Sequence, residues 1–154
     1  MVIHFATDHA GFEHKEAVLL WLSREGYEVV DHGAFNLDPE DDFPDFISKA
    51  AEAVSVDSKE ARAIIFGGSG QGEAMMANRY PRVRATVYYG GDESIPVLSR
   101  QHNNSNVLSI GARFVDIDST KRVVWTWLKA EALKEEKYHR RNQKMDDITN
   151  SLHT

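Results

Sequence analysis

The 154-residue chain contains no cysteine. Disulfides, thiolate metal sites and a cysteine nucleophile are therefore excluded, and the composition suits a reducing cytoplasm. Positive charge is also short: 18 Lys and Arg face 24 Asp and Glu, for a formal net charge of −6. A nucleic-acid partner would demand a broad basic surface, so only local basic pockets are compatible with this balance. Long apolar runs are missing too. No segment approaches the length of a membrane span, and the start, "MVIHFATDHAGFEHK", turns acidic and polar by its eighth residue, without the apolar core of a signal peptide. No low-complexity segment occurs. What is present is 42% hydrophobic and 27% charged residues. That is a globular composition, long enough for one domain over residues 1–154 with a continuous core. Together these features lead us to expect a cytoplasmic protein with neither a membrane nor a nucleic acid as partner.

Short β-branched or aromatic runs alternate with longer helical patterns. Val2 to Ala6, Tyr27 to Asp31, Ala63 to Gly67, Ala85 to Tyr89 and Val107 to Gly111 read as strands. Between them "HKEAVLLWLSRE", "FPDFISKAAEAV", "EAMMANRY" and "SIPVLSRQHN" read as helices. A long helical stretch follows from about Ser119, with a C-terminal helical tail from about residue 134. This order implies crossover connections, hence an α/β fold with a mostly parallel sheet and helices on both faces. Ligands of such sheets bind beyond the carboxyl ends of the strands, so the residues that follow each strand are the place to look for function. "NLDPEDDFPD" (Asn36 to Asp45) is acidic and carries two prolines. It reads as a solvated loop, with metal binding the lesser alternative.

"IIFGGSGQGEAMMAN" (Ile64 to Asn78) joins an apolar run to a helical one through four glycines and a serine. A Walker A loop needs lysine after its last glycine, and Glu73 stands there instead; the dinucleotide fingerprint fails because Glu73 occupies the place of its third glycine. Free N–H groups at such a loop can stabilise a transient oxyanion as well as a phosphate. A carboxylate beside them then makes sense as a base. If Glu73 removes a proton from carbon next to a carbonyl, it becomes neutral as the substrate becomes an enediolate, so one negative charge moves and two never accumulate. The alternative is that Glu73 complements the helix dipole, worth roughly 0.3–1 kcal/mol, and the loop alone leaves both readings open.

The other strand ends extend the pattern. "TDHAGFEHK" (Thr7 to Lys15), "DFPDF" (Asp42 to Phe46), "GGSGQGEAMMANRYPRVRA" (Gly67 to Ala85), "SRQHNNSNVLSIGAR" (Ser99 to Arg113) and "YHRR" (Tyr138 to Arg141) run through nearly the whole chain. In this order the segments resemble type B ribose-5-phosphate isomerases, of the family that includes galactose-6-phosphate isomerase subunits. The resemblance implies a three-layer Rossmann-like α/β/α fold with a five-stranded parallel sheet. It also implies metal-free, cofactor-free interconversion of ribose 5-phosphate and ribulose 5-phosphate through a cis-enediol(ate). Many family members place a cysteine base where this chain has Gly68; this one resembles the branch reading G-G-S-G-x-G-E, whose glutamate is the base. Glu73 then shuttles the proton between C2 and C1, while Gly68, Ser69, Gly70, Gln71 and Gly72 cradle the oxyanion, helped by the Ser69 hydroxyl. His102 matches the histidine that opens the furanose ring, Asn103 and Arg113 match substrate-holding positions, and Asp8 and His9 match a pair contacting sugar hydroxyls and the reacting end or phosphate. Taken singly, His102 could be a helix-end histidine and Asp8–His9 mere turn chemistry. Near the C-terminus Lys137 and Arg141 align with two phosphate-binding arginines; a lysine grips phosphate as a point charge and not as a bidentate fork. The resemblance further implies a homodimer, sometimes paired into a tetramer, with active sites shared between subunits. A six-carbon sugar-phosphate isomerase and a non-catalytic sugar-phosphate-binding module are the competing readings.

Overall fold

The computed structural model describes all of residues 1–154. β1 (Val2–Thr7) leads through a 3-10 turn (His9–Gly11) into α1 (Phe12–Arg24). There follow β2 (Glu28–Asp31), α2 (Pro44–Val56), β3 (Ala61–Gly67), α3 (Gln71–Ala77), β4 (Ala85–Tyr88), α4 (Ser94–Asn103), β5 (Val107–Gly111), α5 (Ile117–Lys129) and α6 (Glu136–Leu152). All five strands are parallel, in the order β2-β1-β3-β5-β4.

The period-two alternation of strand side chains divides the apolar residues between two cores. Ile3 and Phe5 of β1, Ile64 and Phe66 of β3, and Leu108 and Ile110 of β5 pack with Val18 and Leu22 of α1 and with Val123, Val124 and Trp127 of α5. Ala6, Ala63, Ile65 and Val107 turn to the opposite face and pack with Ile47, Ala50, Ala51 and Val54 of α2 and Ala77 of α3. Both faces are thus covered, which is why the strands read as almost unbroken apolar runs. α4 packs on α5 and carries α6 against its other side. No helix is long and apolar enough to cross a membrane.

Expectation and structure part company mainly at element ends. The stretch expected to be helical from about Ser119 is two helices. Asp116 caps the first by accepting the Ser119 N–H at 2.8 Å, and Ala130 ends it in extended backbone. The segment between them is tied to α4 by the Leu133 N–H, which donates to the Gln101 carbonyl at 2.9 Å. The helix read as Glu73 to Tyr80 begins earlier, at Gln71, because Gly70 adopts φ +77° and turns the chain directly into it.

Lys15 is fully buried. Its ammonium donates to both carboxylate oxygens of Asp31 and to the Ala34 carbonyl, each at 2.8 Å. Asp31 also accepts the Gly33 N–H at 2.9 Å, while the Thr7 N–H and carbonyl bond Gly33 and Ala34. The connection after β2 is therefore clamped under the end of β1. Asp31→Ala leaves the fully buried ammonium with only the exposed Glu16 carboxylate, 3.1 Å away, and should lower unfolding free energy by about 3 kcal/mol, whereas Asp31, itself part-exposed, can rehydrate when Lys15 is lost. Lys15→Met, which removes the charge and keeps an apolar stem, should cost less. Urea unfolding of both variants measures the difference, and equal losses would show that the clamp is steric and not electrostatic.

Candidate active site

β1 and β3 lie side by side, yet the helices that follow them pack on opposite faces of the sheet. The chains diverge there and open a crevice beyond the carboxyl ends, the usual ligand position in doubly wound sheets. Asp8 and His9 follow β1, residues 68–72 and Glu73 follow β3, and Arg113 follows β5. The structure gathers Asp8, His9, Gly68, Ser69, Gly70, Gln71, Gly72, Glu73 and Arg113 at this end of the sheet.

Backbone contacts hold the glycine loop. Ser109 of β5 donates its hydroxyl to the Gly70 carbonyl at 2.7 Å, and the N–H groups of Ala112 and Arg113 donate to the Gly67 and Gly68 carbonyls at 2.8 and 3.1 Å. The N–H groups of Gly68, Ser69 and Gly70 donate to no protein atom, so three donors stand free beside the cleft. Ser69 is exposed, its Oγ touching only the Gln71 N–H at a long 3.4 Å.

Glu73 is 4% exposed. Its carboxylate lies flat against Gly67, where an added Cβ would stand 1.9 Å from Oε1, so only glycine leaves it room. Burial pushes its pKa above the usual carboxylate range; its own N–H opposes the shift and the neighbouring Asp8 charge adds to it. No other side chain bonds the carboxylate. A buried, under-bonded carboxylate is a stronger base than a solvated one. The Arg113 guanidinium lies over Gly68, where a Cβ would meet Nη1 at 3.0 Å, and supplies a cation on the same side.

Asp8 is buried, and its Oδ1 accepts the Ala10 N–H at 2.9 Å. His9 meets Asp41, whose Oδ1 lies 3.0 Å from the His9 backbone nitrogen and 2.6 Å from ring Nδ1. The loop read as solvated is exposed at residues 36–40 and 42, but Asp41 departs from that reading, its side chain only 8% exposed. It folds inward because the clamp at Asp31 and the Phe43 ring, packed on Gly72, bring the segment back over β1. Asp41 and Ser109 are the site residues that sequence reasoning missed. The acid-rich loop was the only trace of the first, and nothing local marked the second. Asp8, His9 and Asp41 each offer one ligand atom within 4.8 Å of the others. However, Asp41 Oδ1 and His9 Nδ1 are spent on one another, and Arg113 already brings a positive charge into range. The cluster as it stands is an ion-pairing arrangement.

His102, Asn103, Lys137 and Arg141 lie elsewhere. α4 runs from the carboxyl end of β4 back to the amino end of β5, so His102 and Asn103 fall beyond the amino ends of the strands. Ala63 pairs with Val107 and Gly67 with Gly111; the two ends are therefore separated by about 13 Å of strand, even before the loops are added. The His102 ring stacks on Tyr138 of α6, with centroids 4.6 Å apart and planes 6° from parallel, and the Asn142 amide donates to the His102 carbonyl at 3.1 Å. Lys137 and Arg141 are exposed on α6, where Arg140 and not these two pairs with Glu136. A cleft of about 490 Å³ at this end is lined by Asn103 with Arg84, Met145 and Ile148, and by no glycine-loop residue.

Comparison with known proteins places these features. Residues 3–145 match the family described as Ribose/Galactose Isomerase. Ribose-5-phosphate isomerase B of Mycolicibacterium paratuberculosis is 32% identical over 141 residues, which is 92% of this chain and 87% of that protein. The Escherichia coli enzyme of the same name is 35% identical over 129 residues, 84% of each chain. Ribose-5-phosphate isomerase B of Mycoplasma genitalium, solved with bound ribulose-5-phosphate, superposes with a TM-score of 0.91 at 32% identity, covering 97% of this chain and 96% of that one. The Clostridium thermocellum protein superposes at 0.90 with 35% identity over 99% of both. The five-stranded parallel sheet, the glycine loop and its buried glutamate thus occur in a chain that belongs to the ribose/galactose isomerase family.

Proposed function

We propose that this protein interconverts D-ribose 5-phosphate and D-ribulose 5-phosphate, with Glu73 as the base. The observation that carries the reading is the buried Glu73 carboxylate, pushed toward a higher pKa, beside three unengaged loop N–H groups. Glu73 takes the proton from C2 of the open-chain aldose and the negative charge passes to O1 of the enediolate; the O2 proton then moves to O1, and Glu73 returns its proton to C1 as the carbonyl forms at C2. The N–H groups of the Gly68–Gly72 loop hold O1 as it gains charge, where fixed donors in a water-poor cleft act most strongly. The Ser69 hydroxyl, Asp8 and His9 hold the sugar, and Arg113 balances the negative charge.

Ring opening and most of the grip on the phosphate belong, in this proposal, to a second copy of the chain, with His9 of the first copy facing the same substrate. His102 moves the proton from the anomeric hydroxyl to the ring oxygen, Asn103 orients the sugar, and Lys137 and Arg141 hold the phosphate. All four lie at the opposite end of the sheet from Glu73 in one chain, so a two-fold partner would have to deliver them. Exposed Ile95 and Leu98 on α4 and Met145, Ile148 and Leu152 on α6 provide apolar surface for that partner to cover. The absence of cysteine and the sugar-phosphate chemistry fit a cytoplasmic role in the pentose phosphate pathway.

The test is a coupled isomerisation assay of purified protein on ribose 5-phosphate beside allose 6-phosphate and galactose 6-phosphate. Turnover is expected on the five-carbon substrate. Turnover confined to a six-carbon phosphate would reassign the substrate, and binding without turnover of any would leave only a binding module.

A further inference from the structure

Asp41 has no part in the chemistry just described, yet its placement is specific. One oxygen, Oδ1, faces both the backbone N–H and the ring Nδ1 of His9. The other, Oδ2, is buried and meets no hydrogen-bond donor. An ionised carboxylate in that position has a single source of compensating positive charge in direct contact, the His9 ring. Once Nδ1–H is committed to Asp41, the ring has two states. A neutral imidazole presents Nε2 as an acceptor, whereas the imidazolium presents Nε2–H as a donor. Nε2 has no protein partner, and 29% of the side chain is exposed. An unpartnered buried carboxylate oxygen raises the cost of the neutral-ring state, in which Asp41 would stand ionised with no charge opposite it.

We propose that Asp41 is a positioning residue that holds His9 as an imidazolium with Nε2–H free toward the cleft, making His9 the chain's own donor to an anionic oxygen of the sugar phosphate. The inference rests on the isomerase reading of the cleft. The charged groups around the ring act in the required balance. The hydrogen bond to Asp41 raises the His9 pKa most, the Asp8 and Asp41 charges add to it, and partial burial and Arg113 oppose it. His9 therefore keeps its proton to higher pH than a free histidine. The segment that carries Asp41 is itself anchored, by the Lys15 clamp at its start and by Phe43 on Gly72 at its end.

The experiment uses Asp41→Asn, which preserves shape and removes charge, with Asp41→Ser as a smaller variant. The His9 ring is followed by NMR titration of the intact protein, its signals assigned by their loss in His9→Asn. In both Asp41 variants the ring is expected to titrate at lower pH than in the wild type. Titration added in the presence of inorganic phosphate should shift the His9 signals less in the variants than in the parent. Kinetically, kcat/KM for ribose 5-phosphate should fall more at pH 8 than at pH 6, by roughly tenfold for each unit that the His9 pKa drops. The loss should sit mainly in KM. In a His9→Asn background Asp41→Asn should add no further loss. An unchanged His9 titration in both variants, or an equal Asp41→Asn loss with and without His9, would overturn the proposal and leave Asp41 as a loop anchor. Should the wild type fail to isomerise ribose 5-phosphate, the functional reading falls, while the titration and the phosphate shifts still decide the role of Asp41.

Discussion

Glu73→Gln is expected to lower kcat on ribose 5-phosphate by about 10²–10⁴-fold or more, the usual cost of removing a positioned general base. The amide has nearly the shape of the carboxylate, and Gly67 leaves the same space for it, so folding and substrate binding should survive. Stability should change in the opposite sense to activity. The folded-state pKa of Glu73 is raised, so its favourable contribution to folding is fully present below the unfolded value and is lost as pH rises through the folded value. At neutral pH the wild type therefore folds against a buried ionised carboxylate next to Asp8, and the glutamine variant does not. Its Tm should exceed that of the wild type at pH 7–8, and the gap should close toward pH 4. The acid limb of kcat/KM should correspondingly lie above the ordinary carboxylate range. Near-normal turnover by Glu73→Gln would remove Glu73 as the base, whatever its effect on Tm.

The second large effect concerns two inactive variants that restore each other. Glu73 lies at the carboxyl end of the sheet and His102 beyond the amino end, so the site proposed above would draw them from different subunits. In a mixed dimer of Glu73→Gln with His102→Ala, one site collects both lesions and the other collects none. Random co-refolding makes about half of the dimers mixed, each with one intact site. Activity should thus return to about a quarter of the wild-type level if the two-fold sites act independently. The measurement is turnover after co-refolding differently tagged variants, with the mixed species isolated through both tags. Isolated mixed dimers should reach about half of wild-type activity per dimer. If they stay as inactive as either parent, the shared site is wrong.

Much of this architecture could be read from local pattern alone. The central strands β1, β3 and β5 were visible because they are buried on both faces, and a parallel strand in that setting is a short apolar run whatever its neighbours are, while the half-buried edge strands β2 and β4 were marked by their β-branched and aromatic residues. α4 was legible to the residue, Ser94–Asn103, as a polar-apolar repeat between a Gly-Gly turn and Asn104, which leaves the helix with φ +46°. The glycine loop and Glu73 announced themselves because the turn after β3 requires glycine, at Gly70 for its positive φ and at Gly67 to admit the carboxylate. Those requirements act over a few residues and so leave a local trace. The Asp41–His9 contact spans 32 residues and the Ser109–Gly70 contact 39. Each depends on which segments become neighbours, and the one aspartate of an exposed acidic loop that turns inward, Asp41, looks in sequence like those that do not. The division of the candidate residues between the two ends of the sheet was equally hidden, since it follows from the direction in which α4 returns to β5. Only packing in three dimensions decided that Glu73 and His102, 29 positions apart in the chain, face opposite ways along the same sheet.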